Sequence, residues 1–299
     1  VIVASTGVIG QPMTLEPFEK NFGKLADSLE DTPAGGTRAA EAIMTTDTVS
    51  KEVAVRFPLG GKTCKLGGIA KGSGRIAPNM ATMLCFLTTD AAISSVALKR
   101  ALTTVTADTF NMLSVDGDTS TNDMVSILAN GMAGNAPIEA CMGTDYEAFV
   151  AALYKVCEKL CAIMAKDGEG ATKLLVCEVT GAKSTAAAKL VAKAVIKSTL
   201  LKAAIFGADA NWGRVLCAIG YAGADVDVSK VDVNFRSNRG LIPVCRGGAG
   251  VAFSEETAKE ILMDDEITVQ VALNSGSATA KAWGCDLTYD YVKINGDYR

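Results

Sequence analysis

Four polar segments rich in glycine, hydroxyl and acidic side chains interrupt an otherwise apolar sequence. They lie at residues 5–7, 45–48, 71–82 and 114–123. Segments of this composition form loops between strands and helices, and such loops carry most catalytic and binding side chains. The sequence therefore places its candidate chemistry in these four segments.

The sequence of 299 residues contains no histidine. This excludes Ser-His-Asp and Cys-His triads, HExxH zinc sites and any proton shuttle through an imidazole. A general base must then be a carboxylate, Lys, Tyr, Cys or a chain terminus. Asp47 and Asp116 are acidic candidates within the polar segments.

Composition excludes several classes of partner. With 29 Lys and Arg against 33 Asp and Glu, no basic excess is present to neutralise phosphates, so nucleic acid is not an expected partner. No apolar run reaches the about 18 residues of a membrane span. The nine cysteines are scattered without a CxxC pair, which favours a reducing compartment over disulfides or a zinc ribbon.

The hydrophobic pattern predicts elements that would position the polar segments. Alternation at 52–57 and 63–69 around two glycines predicts a hairpin, and residues 1–4 read as a buried strand. Apolar residues recur at helical spacing between 149 and 164, before a glycine-rich stop at 167–170. A helix at 184–201 and strand character over 278–294 complete a mixed α/β or α+β chain.

Two short motifs resemble known sites but lack their context. Residues 72–77 fit the dinucleotide pattern GxGxxA, yet Pro78 and Asn79 disfavour the helix that this fingerprint requires. Asp116 and Asp118 have the spacing that begins a calcium loop, but Thr121 stands where that loop needs glycine. Nucleotide binding at 72–77 is therefore disfavoured, and residues 116–120 are better explained as a hydrogen-bonded polar turn.

A series of longer motifs carries a specific resemblance from one end of the chain to the other. The sequence resembles the ornithine acetyltransferase, or glutamate N-acetyltransferase, family of arginine biosynthesis. The matching stretches are STGVIG at 5–10, MTTDT at 44–48, GSG at 72–74, APNMATML at 77–84, TTDA at 88–91, SVDGDTSTND at 114–123, NWGR at 211–214 and YVKIN at 291–295. The resemblance implies a layered αββα-type sandwich of the N-terminal-nucleophile kind.

The resemblance implies that the chain cuts itself between Ala81 and Thr82. The Thr82 hydroxyl would attack the preceding carbonyl in an N-to-O acyl shift, and water would then release the ester. The products would be a piece of residues 1–81 and a piece of residues 82–299 that begins at the nucleophile. The freed α-amine of Thr82, with a pKa of about 7.7–8.0, would serve as the base in place of histidine.

The remaining roles also come from the resemblance. Thr6 and Gly7 match the oxyanion hole, and substrate-binding positions match Thr45, Lys71, Glu169 and Asn295, with Thr46 an alternative to Thr45. Thr82 would carry acetyl from N-acetylornithine to glutamate, and acetyl-CoA is a second donor in some members. Neither a metal nor an organic cofactor is implied.

The resemblance also sets expectations about assembly and context. Members are homo-oligomers of cleaved heterodimers inside the cell: in the cytoplasm of bacteria, or in the mitochondrial matrix or plastid of eukaryotes. The family chain extends further before residue 1 and ends with a substrate-binding Thr or Ser after Arg299. This chain also has Arg75 where Met is usual and Ala77 where many members have His.

Two other functions are compatible with the same residues. An N-terminal-nucleophile amidase or aminopeptidase would use Thr82 with water as the acceptor instead of glutamate. A non-enzymatic binding protein would keep the fold but remain one uncut chain. The pattern of the sequence alone does not separate these from the acetyltransferase.

Overall fold

The structure, a computed structural model, describes residues 2–7, 10–74 and 83–296. The α-helices of this part of the chain are α1 (Glu16–Asp27), α2 (Pro33–Ala42), α3 (Ser95–Asp108), α4 (Thr144–Lys166), α5 (Thr185–Lys197), α6 (Thr199–Phe206), α7 (Trp212–Gly220), α8 (Glu255–Leu262) and α9 (Tyr289–Gly296). The strands are β1 (Lys51–Leu59), β2 (Lys62–Lys71), β3 (Leu84–Thr89), β4 (Met124–Ala129), β5 (Leu174–Ala182), β6 (Asp232–Ser237), β7 (Gly240–Arg246), β8 (Ala249–Gly250), β9 (Glu266–Ala272) and β10 (Ala278–Cys285).

The strands form two mixed sheets within the described residues. The first sheet has the order β1-β2-β3-β4, with β3 and β4 parallel and the other pairs antiparallel. The second has the order β10-β5-β9-β6-β7-β8, with β5 and β9 parallel. The mixed α/β class that the sequence predicts is confirmed.

The hairpin of the first sheet follows directly from its turn residues. Leu59 pairs with Lys62, so the loop consists of Gly60 and Gly61, with φ angles of +53° and +79°. Two successive positive φ angles are costly for residues with a Cβ and fit the twist of a two-residue hairpin. This turn fixes the register of β2, and therefore where its last residue, Lys71, lies.

Helix α4 connects the two sheets. It packs on β1 and β2 of the first sheet and also on β10 and β5 of the second, while α5 lies against β10 and β5. Its fully buried side chains follow the predicted helical spacing and include Phe149, Leu153, Val156, Leu160 and Met164. One apolar helix therefore belongs to a core shared by both sheets.

Three sequence predictions about these elements were wrong. Residues 2–4 form no strand, and Ile2 and Val3 are exposed, because no neighbouring strand pairs with them within the described chain. The helix expected at 184–201 ends at Lys197, and Ser198 caps a second helix by accepting a hydrogen bond from the Leu201 N–H. The strand expected to reach 294 ends at Cys285, and α9 follows.

Candidate active site

The loop that follows α2 meets the carboxyl end of β2. Lys71 is buried at the last position of β2, and its Nζ donates to the Thr45 hydroxyl over 2.7 Å. The hydroxyls of Thr46 and Ser73 share a hydrogen bond of 2.6 Å. Both of the threonines that the sequence left as alternatives therefore contact the Lys71–Gly74 segment, and Thr45 is the one bonded to Lys71.

The carboxylate of Asp47 holds this loop together. Its Oδ1 accepts the Gly72 N–H over 2.7 Å, and its Oδ2 accepts the Thr45 N–H over 3.1 Å. Burial opposes ionisation, but the Gly72 N–H and the Lys51 ammonium hold the pKa of Asp47 below its usual range. Asp47 is thus an ionised anchor of the loop, which argues against its use as a general base.

Lys71 lies in a site of mixed charge. Burial lowers its pKa below the ordinary value for lysine, and the nearby Lys51 ammonium adds to that effect. The carboxylates of Asp47, Asp123 and Glu169 act in the opposite direction. The nearby carboxylates thus favour the charged form of Lys71, which burial opposes.

Glu169 approaches the same loop from the end of α4. Its N–H donates to the Ser73 carbonyl over 2.7 Å. A Cβ on Gly74 would lie 2.4–2.5 Å from the Glu169 carboxylate, so a larger residue there would displace that carboxylate. The Glu169 carboxylate in turn accepts a hydrogen bond of 3.0 Å from Nδ2 of Asn295.

Helix α9 delivers Asn295 to the site. The Thr288 hydroxyl donates to the Gly170 carbonyl over 2.6 Å and accepts the Tyr291 N–H over 3.2 Å, which anchors the start of the helix. The Tyr291 hydroxyl donates to Asp116 over 3.3 Å. The four predicted substrate-binding side chains thus form two hydrogen-bonded pairs, Lys71 with Thr45 and Glu169 with Asn295. The backbone bond between Glu169 and Ser73 brings the two pairs to the same loop.

The predicted oxyanion and nucleophile residues are placed differently. Thr6 is half-buried and Gly7 is exposed, and within the described residues no hydrogen bond joins them to the four side chains above. Ala81 and Thr82 lie outside the described residues. The described chain resumes at Met83, directly after the predicted nucleophile.

Asp123 is a candidate site residue that the sequence analysis did not identify. Its Oδ1 accepts the Met83 N–H over 2.8 Å, and its Oδ2 is buried without a hydrogen bond of ordinary geometry from the described residues. Burial raises the pKa of Asp123 to about 6, although the Met83 N–H, the Ser120 hydroxyl and Lys71 lower it. Parallel pairing of Leu84 with Met124 explains the contact, because it places residues 83 and 123 side by side.

Among residues 2–7, 10–74 and 83–296, no group of three or more His, Cys, Asp or Glu side chains is arranged to hold a metal ion. Nor does any helix there have the length and apolar character to cross a bilayer.

Fold and site define a two-sheet α/β protein with a lysine- and carboxylate-lined site at the end of a hairpin. The chain matches the ArgJ family over residues 1–299 and belongs to that family. It is 52% identical to Arginine biosynthesis bifunctional protein ArgJ 1 of Clostridium acetobutylicum, over 100% of this chain and 72% of the relative. It is 47% identical to the ArgJ protein of Bacillus subtilis, over 100% and 71%.

A solved structure is similar in both sequence and fold. The crystal structure of Arginine biosynthesis bifunctional protein argJ from Bacillus halodurans is 47% identical to this chain, with a TM-score of 0.68. The match covers 71% of this chain and 98% of that one. Over the matched 71% of this chain, the fold is therefore shared with an experimentally solved member of the family.

Proposed function

We propose that this chain transfers an acetyl group from N-acetylornithine to glutamate, with release of ornithine and formation of N-acetylglutamate. The family and its curated relatives, which are named as arginine biosynthesis proteins, support an acyltransferase of this pathway. The observation that carries the proposal is that the Lys71–Thr45 and Glu169–Asn295 pairs lie on one loop, joined by the bond between the Glu169 N–H and the Ser73 carbonyl. This set lies beside the chain that leads to Thr82.

The charges of the site suit amino-acid substrates. Lys71 offers a buried ammonium for the α-carboxylate that N-acetylornithine and glutamate share. Glu169, held by Asn295, offers a carboxylate for the amine of ornithine. A site with one cation and one anion at its ends binds such a substrate in a single orientation.

Thr82 is the proposed carrier of the acetyl group. Its hydroxyl would take acetyl in the first half-reaction and return it to the glutamate amine in the second, with the α-amine of Thr82 as the base. Thr6 and Gly7 would donate to the oxyanion of each tetrahedral intermediate, and one such donor contributes about 10²–10³-fold in rate.

The α-amine of Thr82 exists only after the chain is cut, so we include cleavage between Ala81 and Thr82 in the proposal. The matched Bacillus halodurans chain is almost fully covered by 71% of this sequence. Residues 82–299 make up close to the same share of this chain. This agreement in length supports a separate piece that begins at Thr82.

The wider setting follows from the same family. The word "bifunctional" in the relatives' names supports acetyl-CoA as a second donor, for synthesis of N-acetylglutamate. We propose a homo-oligomer of cleaved heterodimers in the bacterial cytoplasm, since these relatives are bacterial.

The test is Thr82→Ala, with Thr88→Ala as a matched control on the exposed side of β3. Intact mass should show two pieces for the wild type and Thr88→Ala, and one chain for Thr82→Ala. With N-acetylornithine alone, the first two should carry an acetyl group on the larger piece. Adding glutamate should discharge it as N-acetylglutamate, whereas Thr82→Ala should do neither.

Three results would overturn the proposal or replace it. Cleavage and transfer by Thr82→Ala would show that another residue is the nucleophile. Discharge of the acetyl group to water at the same rate with and without glutamate would favour the amidase. An intact wild-type chain that binds substrate without transferring acetyl would favour the binding protein.

A further inference from the structure

A fully buried lysine lies beneath the candidate site and has no role in the proposed reaction. Lys51 begins β1, and its side chain is 0% exposed. Its Nζ lies 2.6 Å from Asp47 Oδ1 and 2.6 Å from Asp167 Oδ2, and it donates to the Val49 carbonyl over 3.2 Å. One ammonium thus joins two buried carboxylates that are far apart in sequence.

Asp47 links Lys51 to the side of the site that contains Lys71. The Oδ1 atom that faces Lys51 also accepts the Gly72 N–H, and the Oδ2 atom accepts the Thr45 N–H. Gly72 directly follows Lys71, and Thr45 is the hydrogen-bond partner of Lys71. The position of the Lys71 ammonium therefore depends on the position of Asp47.

Asp167 links Lys51 to the side of the site that contains Glu169. It caps the end of α4 and accepts the Thr48 N–H at 3.1–3.2 Å as well as the Thr48 hydroxyl. It lies two residues before Glu169, whose own N–H is bonded to the Ser73 carbonyl. The position of the Glu169 carboxylate therefore depends on the end of α4 that Asp167 holds.

Stability alone is a weak explanation for such a cluster. A buried ion pair gains little over well-packed apolar side chains, because desolvation offsets most of its Coulomb energy. The cluster, however, ties together two irregular segments and a helix end, which have no strand pairing to fix their spacing. Its clearest effect is geometric.

We propose that Lys51, with Asp47 and Asp167, is a positioning group that sets the spacing between Lys71 and Glu169. This inference rests on the proposed function, because those two side chains are the proposed contacts to the ends of the substrate. Removing the central charge releases both sides of the site.

The test uses Asp167→Asn and the double variant Lys51→Met/Asp167→Asn. The wild-type cluster has one ammonium and two carboxylates, and the double variant keeps one carboxylate alone, so both carry a net charge of −1. Removing Lys51 by itself would instead leave two buried carboxylates without their cation. Lys173→Met is the matched control. That lysine is also buried, but its Nζ bonds the carbonyls of Ile205 and Leu262 instead of site residues.

Two readouts separate positioning from simple stability. Hydrogen exchange of the Gly72 and Thr48 amides reports how firmly the cluster holds the two segments, since both amides donate to it. Exchange of both should rise by about tenfold or more in the cluster variants and stay unchanged in Lys173→Met. The kcat/KM for both substrates should fall by about 10- to 100-fold in the cluster variants, against less than about twofold in the control.

The two proposals fail in different ways. If the wild type transfers no acetyl group, the proposed function fails, and amide exchange still decides the role of Lys51. If the cluster variants fold with unchanged exchange at Gly72 and Thr48 and near wild-type kinetics, Lys51 is not a positioning group. If all three variants lose kcat/KM equally, the cluster acts only through stability and the inference is wrong.

Discussion

Two buried lysines, one at the start of a strand in each sheet, satisfy their charge in different ways. Lys51, at the start of the first sheet, pairs with the carboxylates of Asp47 and Asp167. Lys173, just before β5 of the second sheet, donates to the carbonyls of Ile205 and Leu262 over 2.8 and 2.6 Å. Those carbonyls belong to the last turns of α6 and α8.

The difference reflects what each lysine holds in place. The C-terminal end of a helix presents unpaired carbonyls and a partial negative charge. A lysine ammonium can therefore donate to these carbonyls and be stabilised there without a carboxylate partner. The segments around residues 45–48 and 72–74 lack such regular groups, and carboxylates supply the partners instead. Around Lys51 the contacts are thus carboxylates bonded to irregular segments, and around Lys173 they are carbonyls at helix ends.

Lys71→Met tests the functional side of this comparison. It removes the proposed contact to the substrate carboxylate from a buried position, and the kcat/KM for N-acetylornithine and glutamate should fall by about 10²–10³-fold. Steady-state kinetics with each substrate measures the loss. Kinetics close to wild type would remove Lys71 from the binding site and weaken the distinction between the two regions.

Phe149→Ala and Phe235→Ala compare the packing of the two regions. Phe149 on α4 meets Phe57 of β1 edge to face with ring centroids 6.1 Å apart, and Phe235 lies fully buried in β6. Each substitution should lower the free energy of unfolding by about 3–5 kcal/mol, measured by urea denaturation. Activity per folded molecule should be retained in both, because neither ring touches the candidate site.

A loss of activity in folded Phe149→Ala alone would have a specific meaning. It would show that packing of α4, in addition to the charges at its end, sets the geometry of the site. If both variants keep their activity, the polar cluster alone sets the geometry of the site.

Asp123→Asn tests the pH dependence of the first region. The pKa of Asp123 is raised by burial to about 6, above its unfolded value of about 3.9. The folded state therefore binds the proton more tightly, and this group makes stability fall as pH rises from about 4 to about 6. Asn cannot ionise, so unfolding curves of the variant should lack this contribution.

The matching control is Asp118→Asn, which changes an exposed carboxylate in the same segment. Relative to the wild type, Asp123→Asn should gain stability between pH 4 and pH 6 while Asp118→Asn keeps the wild-type profile. Parallel profiles for all three proteins would show that Asp123 is not desolvated in the folded state.

Local patterns in the sequence predicted elements whose cause is local. Gly60 and Gly61 specified the hairpin because a two-residue turn needs positive φ angles at both positions. The spacing of apolar residues from 149 to 164 specified α4. Helix α1 was not predicted, although Leu15, Phe18, Phe22 and Leu25 recur at helical spacing.

Predictions that depended on a distant partner were less successful. Residues 2–4 are apolar, as a buried strand requires, but a strand also needs a neighbour that the local pattern does not identify. The chain after Cys285 turns because Asp286 accepts the N–H groups of Thr172 and Lys173, which ends the strand. No pattern within residues 278–294 indicates that contact.

The sequence by itself determined the mixed α/β class, the hairpin, the central helix and, through its motifs, the family and the candidate residues. Tertiary structure alone decided which of those residues meet. Lys51 joins Asp47 to Asp167, and Asp123 meets Met83, through pairings between segments remote in the chain. Such contacts are set by strand register and by the burial of charge, which are properties of the folded arrangement and leave no periodic signal in the sequence.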